Sequence, residues 1–199
     1  MPCDEHSRTS DMRNAHGMLL PRFSRRALLR GGIATALTSL GLRGLTAQAN
    51  DLHVGAKAPT ASLVTLSGDK ISTTDLIGHV VILTFWATYC EPCREELPLL
   101  SRYFEEYESK GLRVIGITLD PPEDLAAVQK VSQTLRFPSG LVANASCPGY
   151  GRIWRLPVSF VIDRDGRLVL DGWKEKTPAL TAERLAQIVT PLLTRVAAT

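Results

Sequence analysis

The sequence predicts an α/β fold in which helices flank a central mixed β-sheet and a short β-hairpin precedes the sheet. Val80–Trp86 is an apolar run that suits a strand buried on both faces, an amphipathic helix follows it, and a second apolar run occupies residues 114–119. A strand, a helix and a strand in this order indicate a right-handed crossover between parallel strands. A later antiparallel hairpin would make the sheet mixed.

The first half of the domain follows from turn residues and helical spacing. Residues 61–66 and Lys70–Ser72 flank a turn at Gly68 and Asp69, which predicts the hairpin. The helix after the first central strand is indicated by apolar residues that recur on one face, namely Leu97, Leu100, Phe104 and Tyr107.

The second half of the domain completes the sheet. A helix opened by Asp124 is expected after the second central strand. Val158–Ile162 and Leu168–Leu170 are joined by a short polar turn, and we expect them to pair as antiparallel strands. Thr181 should cap a last helix, which Pro191 should kink or end.

Charge divides the chain near residue 50. Residues 1–49 hold seven Arg and three acidic residues, whereas residues 50–199 hold sixteen Lys or Arg and seventeen Asp or Glu. The predicted domain, residues 50–199, is therefore nearly neutral, and no clustered basic face points to nucleic-acid binding. A hydrophobic content of 44% is sufficient for a core, in which Trp154 and Trp173 are expected to lie.

The first 49 residues have the pattern of an export signal. Arg25 and Arg26 precede a mildly apolar stretch at 31–45, and Ala47 and Ala49 form a small-x-small site. This predicts a twin-arginine signal that is cleaved after Ala49, which would place the domain in the periplasm. The alternative is an uncleaved membrane anchor, but the apolar stretch contains several Gly and is shorter than the roughly twenty residues that a spanning helix needs.

Two cysteines lie where the first central strand meets its helix. Cys90 and Cys93 are separated by two residues, and Pro92 suits the first helical turn because no N–H partner is lost there. A helix start offers unpaired N–H groups and partial positive charge, which stabilise a thiolate. Cys90 is therefore the candidate nucleophile, and Cys93 would resolve a mixed disulfide. We predict that the two form a redox-active disulfide.

Other uses of a paired-cysteine motif are less well supported. A structural zinc site needs four ligands, normally from a second Cys or His pair at comparable spacing, but the remaining cysteines, Cys3 and Cys147, lie far apart in the sequence. We therefore expect no metal site and no cofactor. A thiol peroxidase would need a P-x-x-x-T-x-x-C frame, which the sequence lacks. The main alternative is a copper-handling or assembly module that uses Cys90 and Cys93 as soft ligands. The histidines are scattered, at His6, His16, His53 and His79.

Residues 85–96 read F-W-A-T-Y-C-E-P-C-R-E-E, and further motifs lie at 54–59 and 156–163. In these segments the chain resembles the TlpA/ResA-type thiol–disulfide oxidoreductases of the thioredoxin superfamily, and the likeness covers about residues 54–193. Tyr89 stands where Trp is usual, and the residues around Pro157 also depart from the pattern. The resemblance implies a thioredoxin-like fold and dithiol–disulfide exchange through the C-E-P-C motif.

Glu96 is a third candidate catalytic residue. It lies three residues after Cys93, on the same face of the predicted helix. The resemblance implies that an acid at this place lies close to the thiol pair. If partly buried, it could accept the proton of Cys93 when that thiol attacks the mixed disulfide. The alternative is a carboxylate on the helix surface.

Four further residues are candidates for substrate binding. The resemblance implies that Pro157 follows a cis peptide bond and faces the thiols, and that the backbone of Leu156 pairs with an extended target segment. Trp86 and Tyr89 lie within four residues of Cys90 and are expected to form the apolar surroundings of the disulfide.

These observations predict a periplasmic enzyme that reduces disulfides in exported proteins. Glu91, Glu95 and Glu96 oppose a strongly stabilised thiolate at Cys90, which favours a reducing pair. A thiol–disulfide electron donor in the membrane would return the pair to its dithiol form. The resemblance implies that its targets are exported proteins with cysteine pairs, for example in cytochrome c or metalloprotein maturation.

Overall fold

A computed structural model describes residues 52–194; the predicted leader, residues 1–49, and its cleavage site lie outside the described residues. Strands and helices are numbered here in chain order within the described part. The strands are β1 Ser62–Val64, β2 Lys70–Ser72, β3 Val80–Trp86, β4 Leu112–Thr118, β5 Ser139–Leu141, β6 Ala145–Ser146, β7 Val158–Ile162 and β8 Leu168–Leu170. The α-helices are α1 Glu91–Tyr107, α2 Leu125–Ser132, α3 Ala182–Ile188 and α4 Thr190–Thr194.

The central sheet has five strands in the order β5-β4-β3-β7-β8. β3 pairs in parallel with β4 and antiparallel with β7, so the sheet is mixed, as predicted. All seven residues of β3 are buried, because hydrophobic clusters cover both faces of the sheet. The helix α1 crosses from the end of β3 and packs Leu97, Leu100 and Phe104 into one of these clusters. The predicted β-α-β crossover is confirmed, and it places the two cysteines at the end of β3.

The predicted hairpin is present but belongs to a larger unit. β1 is shorter than residues 61–66, and it pairs with β2 on one side and with β6 on the other. β6 has only two residues, Ala145 and Ser146, which is too short for an alternating pattern to reveal. The hairpin therefore forms a separate three-stranded sheet.

The C-terminal helix is divided as the proline suggested. The amide of Arg184 donates to Thr181 Oγ1 at 3.2 Å, which confirms the predicted cap of α3. α3 ends at Ile188, and α4 begins at Thr190, one residue before Pro191. Within residues 52–194 we find no helix with both the length and the apolar character needed to cross a membrane.

The two tryptophans expected in the core differ in their burial. Trp173 is partly buried and packs against the core, whereas Trp154 is 72% exposed. The expectation for Trp154 is therefore wrong. Trp154 lies in the irregular segment before β7 and stacks on the ring of Trp173 at 5.6 Å instead of entering the core.

Candidate active site

Cys90 and Cys93 are joined by a disulfide at the junction of β3 and α1. The S–S distance is 1.99 Å and the two Cα atoms are 5.3 Å apart. Cys90 is 7% exposed, whereas Cys93 is fully buried. Of the two cysteines, an incoming protein can therefore reach Cys90 but not Cys93.

The sulfur of Cys90 lies at the positive end of α1. Cys90 is the N-cap residue of this 17-residue helix, and its Sγ accepts the backbone N–H of Cys93 at 3.2 Å. Pro92 lies in the first turn, where its missing N–H leaves no hydrogen bond unmade. An N-cap acceptor gains from both the hydrogen bond and the helix dipole when it is negative. In the reduced protein these contacts favour the thiolate of Cys90.

A buried carboxylate fixes the segment that leads into Cys90. Asp120 is fully buried at the end of β4, and its Oδ2 accepts the backbone N–H of Thr88 at 2.9 Å. Its Oδ1 accepts the hydroxyl of Thr88 at 2.5 Å, and Thr118 donates a further short hydrogen bond to Oδ2. The turn two residues before Cys90 is therefore tied to the neighbouring strand.

Glu96 lies on α1, three residues after Cys93. It is buried, with 2% of its surface exposed. Ser159 Oγ donates to Glu96 Oε1 at 2.8 Å and also lies 2.9 Å from Thr84 Oγ1. A hydroxyl has one hydrogen, so Ser159 donates either to Glu96 or to Thr84 at any one time. Glu96 Oε2 is buried with no hydrogen-bond partner among the described residues.

This environment changes the acidity of Glu96. Burial raises its pKa from the ordinary value of 4.5 to about 7, although the Ser159 hydroxyl and the nearby amide of Leu180 favour the charged form. The carboxyl group is therefore close to half protonated at neutral pH. A group with a pKa in this range can both accept and release a proton during turnover.

A groove of about 420 Å³ opens beside the accessible sulfur. Its lining includes Cys90, Tyr89, Trp154 and Leu156, of which Tyr89 is 69% exposed. The peptide bond between Leu156 and Pro157 is cis, as the resemblance implied. The predicted residues Tyr89 and Leu156 thus flank the reactive sulfur, while Pro157 itself is buried.

Trp86 does not line this groove. It is fully buried in the core cluster that includes both cysteines, and its Nε1 donates to Ser139 Oγ at 3.1 Å. The Trp86 ring is therefore not exposed at the protein surface, and a role in substrate binding stays a prediction. Its membership of the buried cluster that contains Cys90 and Cys93 agrees with the expected apolar surroundings of the disulfide.

The acidic residues near the cysteines differ in their surroundings. Glu91 forms a close ion pair with Arg94, and both side chains are exposed. Glu95 is also exposed, whereas Glu96 is buried. Solvent and Arg94 screen the two exposed carboxylates, so they oppose the Cys90 thiolate less than the sequence suggested.

Sequence reasoning missed three residues around the site. Asp120 and Ser159 are buried polar residues whose partners come from other strands, and a single sequence does not reveal such pairings. An Asp two residues after the end of a buried apolar strand was the available signal for Asp120. Trp154 was missed because both it and Trp173 were expected to lie in the core. The structure contains no group of three or more His, Cys, Asp or Glu side chains arranged to hold a metal ion within residues 52–194.

The fold and the paired sulfurs define a thioredoxin-like thiol–disulfide oxidoreductase. Residues 54–170 match the family model of the AhpC/TSA family, and the chain belongs to that family. It is 34% identical over 128 residues to the thiol–disulfide oxidoreductase ResA of Bacillus cereus, a match that covers 64% of this chain and 73% of that protein. The resemblance to ResA-type enzymes is therefore confirmed.

Two further similarities agree with this assignment. The thioredoxin-like protein YneN of Bacillus subtilis is 35% identical over 118 residues, which cover 58% of this chain and 68% of that protein. The crystal structure of a thiol:disulfide interchange protein of the thioredoxin family from Chlorobium tepidum superposes with a TM-score of 0.58 at 27% identity. That match covers 72% of this chain and 99% of the other.

Proposed function

We propose that this enzyme reduces disulfides of exported proteins in the periplasm, with Cys90 as the nucleophile and Cys93 as the resolving thiol. The main support for these roles is that the two cysteines differ in their accessibility. Cys90 opens to the groove at the start of α1, whereas Cys93 is fully buried. A target can therefore form its mixed disulfide only with Cys90.

The reaction begins from the dithiol form. The Cys90 thiolate attacks one sulfur of the target disulfide, so that a mixed disulfide forms and the second target sulfur leaves as a thiolate that takes up a proton. Cys93 then loses its proton and attacks Cys90 Sγ, which releases the first target sulfur. The target has gained two electrons, and the Cys90–Cys93 bond seen in the structure has formed.

Glu96 supplies the base for the second step. Its carboxyl group lies one helical turn after Cys93 and has a pKa of about 7, so a substantial fraction is ionised at neutral pH. The charged form accepts the Cys93 proton as that thiol attacks. Ser159 holds the accepting carboxyl through its 2.8 Å hydrogen bond.

The sequence supports the proposed location and partners of the enzyme. The twin-arginine pattern in residues 1–49 supports export of the domain that begins near residue 50. The periplasm is oxidising, so a reductant there needs electrons from a thiol–disulfide donor in the membrane. Exported proteins with cysteine pairs, such as those that mature as c-type cytochromes or metalloproteins, are the proposed targets.

Removal of the resolving thiol tests this proposal. The Cys93→Ser variant, reduced and incubated with oxidised periplasmic extract, should accumulate exported proteins linked covalently to Cys90, because the second step is blocked. Peptide mass spectrometry identifies both partners of each link. Cys90→Ser is the matched control and should retain none. Absence of linked proteins in both variants would contradict the proposed reaction. Stoichiometric copper bound by the wild type, without exchange against dithiothreitol, would support the copper-handling alternative.

A further inference from the structure

An exposed tryptophan outside the hydrophobic core lines the groove that contains the reactive cysteine. Trp154 is 72% exposed and contributes to neither hydrophobic core cluster. Most of this ring gains no burial on folding, and Trp is enriched among the residues that contribute most to binding at interfaces. Trp154 lines the same groove as Cys90.

The ring of Trp154 is held in a fixed orientation. It stacks on Trp173 with 5.6 Å between ring centroids and 11° between planes. Trp173 is itself anchored, since its Nε1 donates to the carbonyl of Tyr150 at 2.8 Å. The guanidinium of Arg155 lies 5.6 Å from the ring of Trp154 and 5.9 Å from that of Trp173.

Arg155 is fixed in turn by the backbone. Its Nη2 donates to the carbonyl oxygens of Gly172 and Glu175, the second at 3.1 Å. The exposed indole is therefore supported by two side chains that are tied to the segment after β8. Little side-chain entropy remains to be lost when a partner covers it, so the surface is organised for binding in advance.

The chemistry of the groove indicates which side chain it accepts. The apolar surfaces of Tyr89, Ile153, Trp154 and Leu156 contribute to its lining, and its volume of about 420 Å³ lies in the range of ligand pockets. Arg155 also lines the groove and would repel a cationic side chain. An apolar side chain from the segment that carries the target cysteine fits this lining best.

We propose that Trp154 is a specificity-determining residue: its ring binds an apolar side chain that flanks the target cysteine, so that targets with such a neighbour are reduced faster. The inference rests on the proposed function, because it requires the target disulfide to reach Cys90 through this groove. Covering the exposed ring during the attack stabilises the transition state by burial of apolar surface, which a glycine neighbour cannot supply.

Two matched peptides test the proposal. Each contains one intramolecular disulfide, and the residue before the attacked cysteine is Leu in one peptide and Gly in the other. The reduced full-length wild type should reduce the Leu peptide about tenfold faster in single turnover, the usual scale of discrimination for an apolar contact. Trp154→Ala should bring the ratio of the two rates close to one, and Trp154→Phe should keep most of the preference.

Ile77→Ala provides the control, because Ile77 is 54% exposed and apolar but does not line the groove. It should keep the wild-type ratio. Equal rates for the two peptides in the wild type, or an unchanged ratio in Trp154→Ala, would overturn the role of Trp154 while exchange itself is intact. Reduction of neither peptide by the wild type would instead contradict the proposed function.

Discussion

Replacement of Glu96 by Gln should remove a large pH dependence of folding stability. Burial raises the pKa of Glu96 from 4.5 to about 7, so between these values the folded protein binds a proton that the unfolded chain releases. The free energy of unfolding should therefore fall as the pH rises: the contribution is complete below pH 4.5 and lost above about pH 7. At about 1.4 kcal/mol for each unit between the two pKa values, the loss amounts to about 3.5 kcal/mol.

The assay is urea denaturation of the oxidised full-length protein at about pH 5 and about pH 8, which span most of this loss. The wild type should lose about 2 to 3 kcal/mol more than Glu96→Gln between the two conditions, because Gln is neutral at both. Glu95→Gln is the matched control, since Glu95 is the preceding residue of the same helix but is exposed. It should behave as the wild type does. An equal pH dependence in the wild type and Glu96→Gln would refute a buried carboxyl group with a raised pKa.

Three further substitutions test the contacts around the site. Ser159→Ala removes the donor to Glu96 and should raise the pKa of that carboxyl by about one unit. The pH dependence of the free energy of unfolding should shift accordingly, and no shift would contradict the hydrogen bond between Ser159 and Glu96. Asp120→Ala leaves the donors of Thr88 without their acceptor and should lower the free energy of unfolding, measured by urea denaturation, by about 2 to 3 kcal/mol. An unchanged free energy would mean that Asp120 does not hold this turn. Trp86→Phe removes a buried indole donor and should lower the free energy of unfolding by about 1 to 3 kcal/mol. A change near zero would contradict the burial of Trp86.

The elements of the central sheet could be predicted from the sequence because their signals are local. β3 is a continuous apolar run, and the spacing of apolar residues in α1 marks its buried face. β7 and β8 could be predicted because a short polar turn joins them. β6 has two residues and exists only through its pairing with β1, so its signal lies in a distant part of the chain.

The site could be predicted from the sequence only where its signals are local. The position of Cys90 and Cys93 at the start of α1 follows from the strand-to-helix transition and the proline between them. The burial of Glu96 depends on β7, which lies more than sixty residues away in sequence, and spacing alone left it open. Trp154 is exposed because the chain before β7 follows an irregular path, which composition does not encode.

A redox titration of the full-length protein is the most direct test of exchange through Cys90 and Cys93. The protein is equilibrated at a series of dithiothreitol poises, free thiols are alkylated, and peptide mass spectrometry measures the modified fraction of each cysteine. Cys90 and Cys93 should change together as a two-electron couple with a midpoint near that of thioredoxin, about −270 mV. If the two sulfurs remain joined, or remain separate, at every poise, then this pair does not carry electrons. A midpoint near −120 mV would show an oxidant rather than a reductant.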